Sequence, residues 1–143
     1  MAGIESIVVG VDGSATSVDA LRWAHEEAAH HGASLTVVAA WHAPTLPISP
    51  PGAFEEHYES LPRQGALEML DGLVSGLEDR DPAVDVRTSI EEGNPAEVLI
   101  ERSKESDLLV VGSRGHGGFA GMLLGSVSHH LVAHAHCAVV VVR

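Results

Sequence analysis

The segment from Gly112 to Ser126 is the clearest candidate for chemistry. It contains four residues with the spacing Gly-x2-Gly-x9-Gly-Ser, namely Gly112, Gly115, Gly125 and Ser126. Glycine allows positive φ and close approach of another backbone, so the N–H groups of such a loop can surround an anion. We expect Gly115 and Gly125 to be required for space or for positive φ. A helix with Ser126 as its N-cap would add first-turn N–H groups and a dipole that favour phosphate.

The familiar phosphate motifs are absent from the sequence. No segment ends in Gly-Lys-Ser or Gly-Lys-Thr, and Gly-x-Gly-x-x-Gly does not follow the first predicted strand. These absences exclude the common NTPase loop and disfavour a dinucleotide fold. Asp12, which follows that strand, can either cap the turn or bind a ligand or a metal ion such as Mg²⁺.

The rest of the chain predicts a mostly parallel sheet that positions this loop. Short runs of Val, Ile and Leu alternate with stretches of helical period, which is typical of βαβ units. The predicted strands are Ile4 to Val11, Ser34 to Trp41, Val84 to Ile90, Asp107 to Gly112 and Ala138 to Val142. Ser14 and Gly32 should cap the first helix, and Asn94-Pro95 should open the third. Ligands of such sheets bind beyond the carboxyl ends of the strands.

Length and charge narrow the possible partners. The chain has 143 residues, which predicts one domain over 1–143, and its formal net charge is −12. Such a charge disfavours nucleic acid and anionic membranes as partners, and no apolar run approaches the length of a bilayer span. One cysteine, Cys137, and no visible signal peptide predict a cytoplasmic protein.

With these motifs the sequence resembles the universal stress protein family, in its ATP-binding branch. The resemblance includes Ile7 to Ser14, Glu92 to Pro95 and Asp107 to Ser113. It implies a three-layer α/β sandwich, of the Rossmann-like nucleotide-binding α-hydrolase type, with a five-stranded parallel sheet in the order 3-2-1-4-5. One departure is Cys137-Ala138, where family members commonly have Cys-Pro, so the entry of the last strand could differ.

The resemblance also implies ATP and Mg²⁺ as cofactors. The glycines and Ser126 would hold ribose and phosphates, Asp12 would lie near the ribose, the phosphates or Mg²⁺, and the backbone from Val38 to Trp41 would border adenine. Arg114 and His116 could be either solvated loop residues or local partners for phosphate. The candidate site comprises Asp12, Val38, Ala39, Ala40, Gly112, Ser113, Arg114, Gly115, His116, Gly125, Ser126 and Val127. No catalytic residue is assigned.

Other residues favour plainer interpretations. His130 and His134 are separated by four positions, but no carboxylate or thiolate joins them at the spacing of a metal motif, so we expect surface histidines. Cys137 should be a small buried apolar residue rather than a reactive thiol. Trp41 should pack in the core, although it could stack on a base.

Two functions fit these observations. The chain could be an ATP-binding stress-response module whose nucleotide state is read by regulatory protein partners, with little or no hydrolysis. Alternatively, it could be a small ATP-using enzyme of the same fold, although the loop offers no lysine and only His116 as a base. A third candidate, a phospho-accepting receiver domain of similar topology, is rejected. It needs an Asp after the third strand, where this chain has Glu91-Glu92. The apolar strand Ala138 to Val142 should form a homodimer through a sheet edge.

Overall fold

A computed structural model describes residues 3–42, 62–77, 81–114 and 125–143. Within these ranges strands and helices alternate along the chain. The elements are β1 (Ser6–Gly10), α1 (Ala15–His31), β2 (Ser34–Trp41), α2 (Arg63–Ser75), β3 (Val86–Glu92), α3 (Pro95–Ser103), β4 (Leu108–Gly112), α4 (Ser126–His134) and β5 (Ala138–Val142).

The five strands form one parallel sheet in the order β3-β2-β1-β4-β5. The predicted fold and strand order are therefore confirmed. β1 and β4 are neighbours, with Val9 opposite Val110, and the chain leaves them towards opposite edges of the sheet. The carboxyl ends of β1 and β4 thus flank the crevice where ligands of this architecture bind.

The caps predicted for α1 and α3 occur where the sequence places them. The Ser14 side chain accepts from the Ser17 N–H, and Gly32 ends α1 at φ 66°, a left-handed conformation that glycine tolerates best. Asn94 Oδ1 accepts from the Ala96 N–H at 2.9 Å, and Pro95 occupies the first helical position of α3.

Helices cover both faces of the sheet. On one face α1 and α2 pack on Val9, Leu35 and Val37. On the other face Leu99 and Leu131, from α3 and α4, are packed with strand residues. Ala66 and Leu70 are the buried residues of α2.

β5 occupies the predicted residues and pairs with β4 although no proline precedes it. Its pairs with β4 run from Leu108 opposite Ala138 to Gly112 opposite Val142. The His136 N–H donates to the buried Ser103 hydroxyl at 2.9 Å, and that hydroxyl donates to the Ile100 carbonyl at 2.6 Å. The end of α3 therefore fixes the turn before β5.

Candidate functional site

Asp12 organises the turn between β1 and α1. Its Oδ1 accepts from the Ser14 N–H at 2.9 Å and from the Ser14 hydroxyl at 2.5 Å, and the Asp12 N–H donates to the Ser17 hydroxyl at 3.4 Å. The carboxylate is half-buried. Asp12 thus has the capping role that its residue type favours, at the carboxyl end of the strand beside β4.

Gly112, the last residue of β4, lies against the first turn of α1. A β-carbon at Gly112 would lie 2.6 Å from Thr16 Oγ1 and 2.9 Å from the Ser17 nitrogen. Real β-carbons do not make such contacts. Glycine is therefore required here by close helix–strand packing, whatever binds nearby.

The chain beyond β4 is tied to α1 through one carbonyl. The Thr16 hydroxyl donates to the Arg114 carbonyl, and the Ser14 hydroxyl lies 3.4 Å from the same oxygen. The Arg114 residue itself is exposed. The first turn of α1 therefore sets the direction in which the chain leaves β4.

A second set of hydrogen bonds joins residues on either side of segment 115–124. The Gly125 N–H donates to the Ser113 carbonyl at 2.6 Å, and the Ser128 hydroxyl lies 3.1 Å from the carbonyl oxygens of Ser113 and Gly125. Ser113 and Ser128 are both buried, and the Ser113 N–H donates to the Val142 carbonyl at 2.7 Å. The start of α4 is consequently anchored to the end of β4.

β2 continues past β1 at the third side of this crevice. The Val38 carbonyl accepts from the Val11 N–H at 2.9 Å, and the Trp41 carbonyl accepts from the Gly93 N–H at 2.9 Å. The backbone N–H and carbonyl groups of successive strand residues point alternately to the two neighbouring strands. Ala40, two residues after Val38, therefore directs its N–H and carbonyl to the side of β1. β1 pairs with β2 only as far as Val38, and the polar groups of Ala40 therefore lie beyond its last pair.

A sequence profile described as the Universal stress protein family matches residues 3–143. The chain belongs to the universal stress protein family. A universal stress protein of Mycolicibacterium smegmatis is 39% identical over 137 residues, which cover 96% of this chain and 45% of that protein. The chain thus spans about half the length of the curated relatives it matches.

Solved universal stress proteins share the fold. One, crystallised in complex with cAMP, superposes with a TM-score of 0.74 at 26% identity, covering 99% of this chain and 98% of that one. Another, from Arabidopsis thaliana with AMP bound, gives a TM-score of 0.60 at 24% identity, covering 96% of this chain and 90% of that one.

In this universal stress protein, several of the predicted site residues lie close together. Gly112, Ser113, Arg114 and Gly125 are connected to the Asp12–Ser17 turn or to one another by the contacts above. The side chains of Val38 and Ala39 are buried in the core. Of the predicted β2 residues, Ala40 is the one whose backbone groups lie beyond the last β1 pair, at the carboxyl end of the strand. Val127 is half-buried against the α3–α4 side of the core. Gly115 and His116 lie outside the described residues.

The predicted N-cap of α4 is wrong, and one of the two reasons given for Gly125 is excluded. Gly125 is the N-cap, and Ser126 is instead the first, exposed residue of the helix. The Gly125 carbonyl accepts from the His129 N–H at 3.0 Å, which is the first intrahelical bond. Its φ of −70° is open to any residue, so Gly125 is not required for positive φ.

Sequence reasoning missed Thr16 and Ser128, whose hydroxyl groups hold the loop ends. Their side chains bond to carbonyls that are distant in sequence, and no local pattern gives those partners. Ser128 had one usable signal, since it is a polar residue three positions before the buried Leu131 and lies on the same helix face.

His130 and His134 are exposed residues of α4, as expected of surface histidines. Among the described residues no group of three or more His, Cys, Asp or Glu side chains could hold a metal ion. Cys137 is half-buried, and burial, aided by the Asp107 carboxylate, raises the pKa of its thiol, which disfavours the reactive thiolate. Trp41 packs against the core on the α1–α2 side. In the described part of the chain no helix is long and apolar enough to cross a membrane.

Proposed function

We propose that this chain is a cytoplasmic ATP-binding regulatory module whose nucleotide state is read by partner proteins. Nucleotides are bound by family members of the same fold, with cAMP in one solved structure and AMP in another. Here the proposed ligand is Mg·ATP. It lies across the carboxyl ends of β1, β2 and β4, and it undergoes little or no hydrolysis.

The convergence of two helix N-termini carries the proposal. α1 and α4 both begin beside residues 113 and 114, because Thr16 binds the Arg114 carbonyl and Gly125 binds the Ser113 carbonyl. Each N-terminus presents N–H groups and the positive end of a helix dipole. Two such helix N-termini, beside the residues that flank a glycine-rich sequence, favour the binding of a polyphosphate.

The charge of the chain makes this local arrangement necessary. With a formal net charge of −12, the protein as a whole repels a nucleoside triphosphate. Arg114 supplies one local positive charge. A bound Mg²⁺ supplies more, and this ion is commonly held by one or two carboxylates together with substrate phosphates and waters.

Asp12 fits the magnesium role. The Ser14 N–H and hydroxyl at its Oδ1 fix the orientation of the carboxylate. A single oriented carboxylate next to a phosphate site suits Mg²⁺.

The Ala40 backbone is the proposed contact for the base. Its N–H and carbonyl, past the last β1 pair, can match the donor and acceptor pattern of the adenine edge. Guanine would leave one of these polar groups unpaired, at a cost of about 1 to 3 kcal/mol. Adenine nucleotides should therefore bind about 5- to 150-fold more tightly than guanine nucleotides.

Thermal unfolding with different nucleotides tests the proposal. A ligand at one hundred times its Kd stabilises the folded state by about 2.7 kcal/mol, which should raise Tm by roughly 5 to 15 °C. With Mg²⁺ present, ATP should raise Tm more than GTP does, and AMP and cAMP serve to show how much the extra phosphates add. Equal shifts from ATP and GTP would contradict base recognition, and no shift from any nucleotide would contradict the whole proposal.

Two variants and a turnover assay sharpen this experiment. Gly125→Val, which places a side chain at the N-cap of α4, should reduce the ATP shift, and Asp12→Ala should reduce it more where Mg²⁺ is present than where it is absent. Gly3→Val is the matched control, because a β-carbon at Gly3 meets nothing within 4 Å. Multiple turnovers at about 1 s⁻¹ or faster would favour the ATP-using enzyme instead.

A further inference from the structure

Two exposed imidazoles lie one helical turn apart at the end of α4. The ring centroids of His130 and His134 are 4.7 Å apart, and the ring planes are inclined by 46°. Residues separated by four positions lie on the same face of a helix. Both histidines are exposed, whereas Ser128 and Leu131 of the same helix are buried.

The separation of the rings matches chelation of one metal ion. A metal–imidazole bond of about 2.1 Å and a ring radius of about 1.2 Å place each centroid about 3.3 Å from the metal. Two such rings have centroids roughly 4.7 Å apart when they meet at a right angle, and roughly 5.4 Å apart at the tetrahedral angle. The observed spacing agrees with the right angle, which is the angle between adjacent ligands in square-planar and octahedral complexes.

The electrostatic surroundings favour a cation. His134 is the last residue of α4, where the negative end of the helix dipole stabilises positive charge. The formal net charge of −12 adds a general attraction for cations. Both residues are exposed, so rotation about χ2 can bring one nitrogen of each ring to the ion.

We propose that His130 and His134 form a two-histidine site for a divalent transition-metal ion, with Cu²⁺ preferred over Ni²⁺ and Zn²⁺. Imidazole nitrogens suit these ions, and the order of affinity follows the general order for first-row metals. Water completes the coordination, because the described residues provide no third ligand of the His, Cys, Asp or Glu type at this place. Mg²⁺, which prefers oxygen ligands, is excluded from this site. The inference does not depend on nucleotide binding.

Titration calorimetry with CuCl₂ and NiCl₂, on untagged and nucleotide-free protein in a buffer that does not chelate metals, tests the site. His130→Gln and His134→Gln should each weaken Cu²⁺ binding at this site by about tenfold or more, because one ligand cannot chelate. His129→Gln is the matched control. It removes an exposed histidine from the same helix, but the residue four positions later is Ala133.

A second measurement separates chelation from a change in folding. Cu²⁺ should raise Tm in the parent protein and in His129→Gln, since the unfolded chain does not hold two imidazoles one turn apart. It should raise Tm less in the two site variants, whose metal-free circular dichroism spectra should match the parent. Unchanged Cu²⁺ affinity in His130→Gln, or an equal loss in His129→Gln, would overturn the proposal.

Discussion

Gly112 and Thr16 are in contact with no room for a side chain between them. A β-carbon on Gly112 would lie 2.6 Å from the Thr16 hydroxyl oxygen and 2.7 Å from the Thr16 carbonyl carbon. The missing side chain lets the Thr16 hydroxyl reach past the end of β4 to the Arg114 carbonyl. The glycine at the start of the loop thus has a packing role that is independent of any ligand.

Gly112→Ala should therefore destabilise the fold itself. The new methyl group meets the Thr16 hydroxyl and also the backbone of α1, which cannot move aside as a side chain can, and overpacking of this kind costs about 1 to 3 kcal/mol. Urea unfolding in the absence of nucleotide should show a lower free energy of unfolding. Gly72→Ala is the control, since Gly72 lies in α2 with nothing within 4 Å of an added β-carbon. The free energy of unfolding of Gly72→Ala should rise by up to about 1 kcal/mol, because Ala has a higher helix propensity than Gly. If Gly112→Ala is as stable as the parent, the close contact does not constrain β4 and α1.

Thr16 should act as a positioning residue for the nucleotide loop. Thr16→Val keeps the shape of the side chain but removes the hydrogen bond to Arg114, which is worth about 0.5 to 1.5 kcal/mol. Given the proposed nucleotide site, we expect ATP affinity to fall roughly 2- to 10-fold. Thr16→Ser, which retains the hydroxyl, should restore most of the affinity. Calorimetric Kd values for the parent and both variants measure this effect. Identical Kd values in the parent and Thr16→Val would show that the hydroxyl does not position the loop.

Features encoded by neighbouring residues could be predicted from the sequence. Ser14, Gly32 and Asn94-Pro95 form caps from local residues alone, and the glycine spacing identifies the end of β4 without knowledge of distant contacts. The Gly125 cap was missed because glycine and serine are both good N-cap residues. Adjacent Gly125-Ser126 therefore leaves the boundary open by one position.

The end of β3 shows why strand boundaries were harder to predict. The strand was expected to stop at Ile90, but it extends to Glu92. Arg102 on α3 explains this extension, because its Nε donates to Glu91 Oε2 at 2.7 Å and its guanidinium donates to the Ser89 hydroxyl at 2.8 Å. A carboxylate that looks like a loop signal is thus held in the strand by a partner eleven residues later. Only tertiary structure supplies that information.

Asp107 should make the stability of the fold depend on acid pH. The N–H groups of Glu5 and then Ser6, at 2.9 and 3.1 Å from Asp107 Oδ2, hold the pKa of this carboxyl below its ordinary value. The unfolded state then binds the proton more readily than the folded state. The stabilisation is therefore complete above the unfolded pKa of about 3.9, and it is lost as the pH falls through the folded value.

Unfolding experiments between pH 7 and pH 2 on the parent and Asp107→Asn test this dependence. The parent should be more stable than the variant near neutral pH, and the difference should shrink steadily below about pH 5. Asp71→Asn, at an exposed position of α2, serves as a control. Its free energy of unfolding should differ little from that of the parent throughout this pH range. A difference between the parent and Asp107→Asn that does not change with pH would contradict the charge-based explanation.

β5 should join two copies of this chain. It is an edge strand with β4 on one side, its residues Val139 to Val142 are only half-buried, and no charge or proline within it blocks further pairing. A symmetric contact between two β5 strands would continue the sheet across a dimer and cover these valines.

Light scattering at tens of micromolar should give about twice the 14.9 kDa mass of one chain. Val141→Lys should shift the protein towards monomer by placing like charges at the contact. Thr88→Lys, an exposed position on the opposite edge strand β3, should leave the mass unchanged. A parent protein that stays monomeric would exclude the β5 dimer, whereas a dimer lost in Thr88→Lys and kept in Val141→Lys would place the contact at β3.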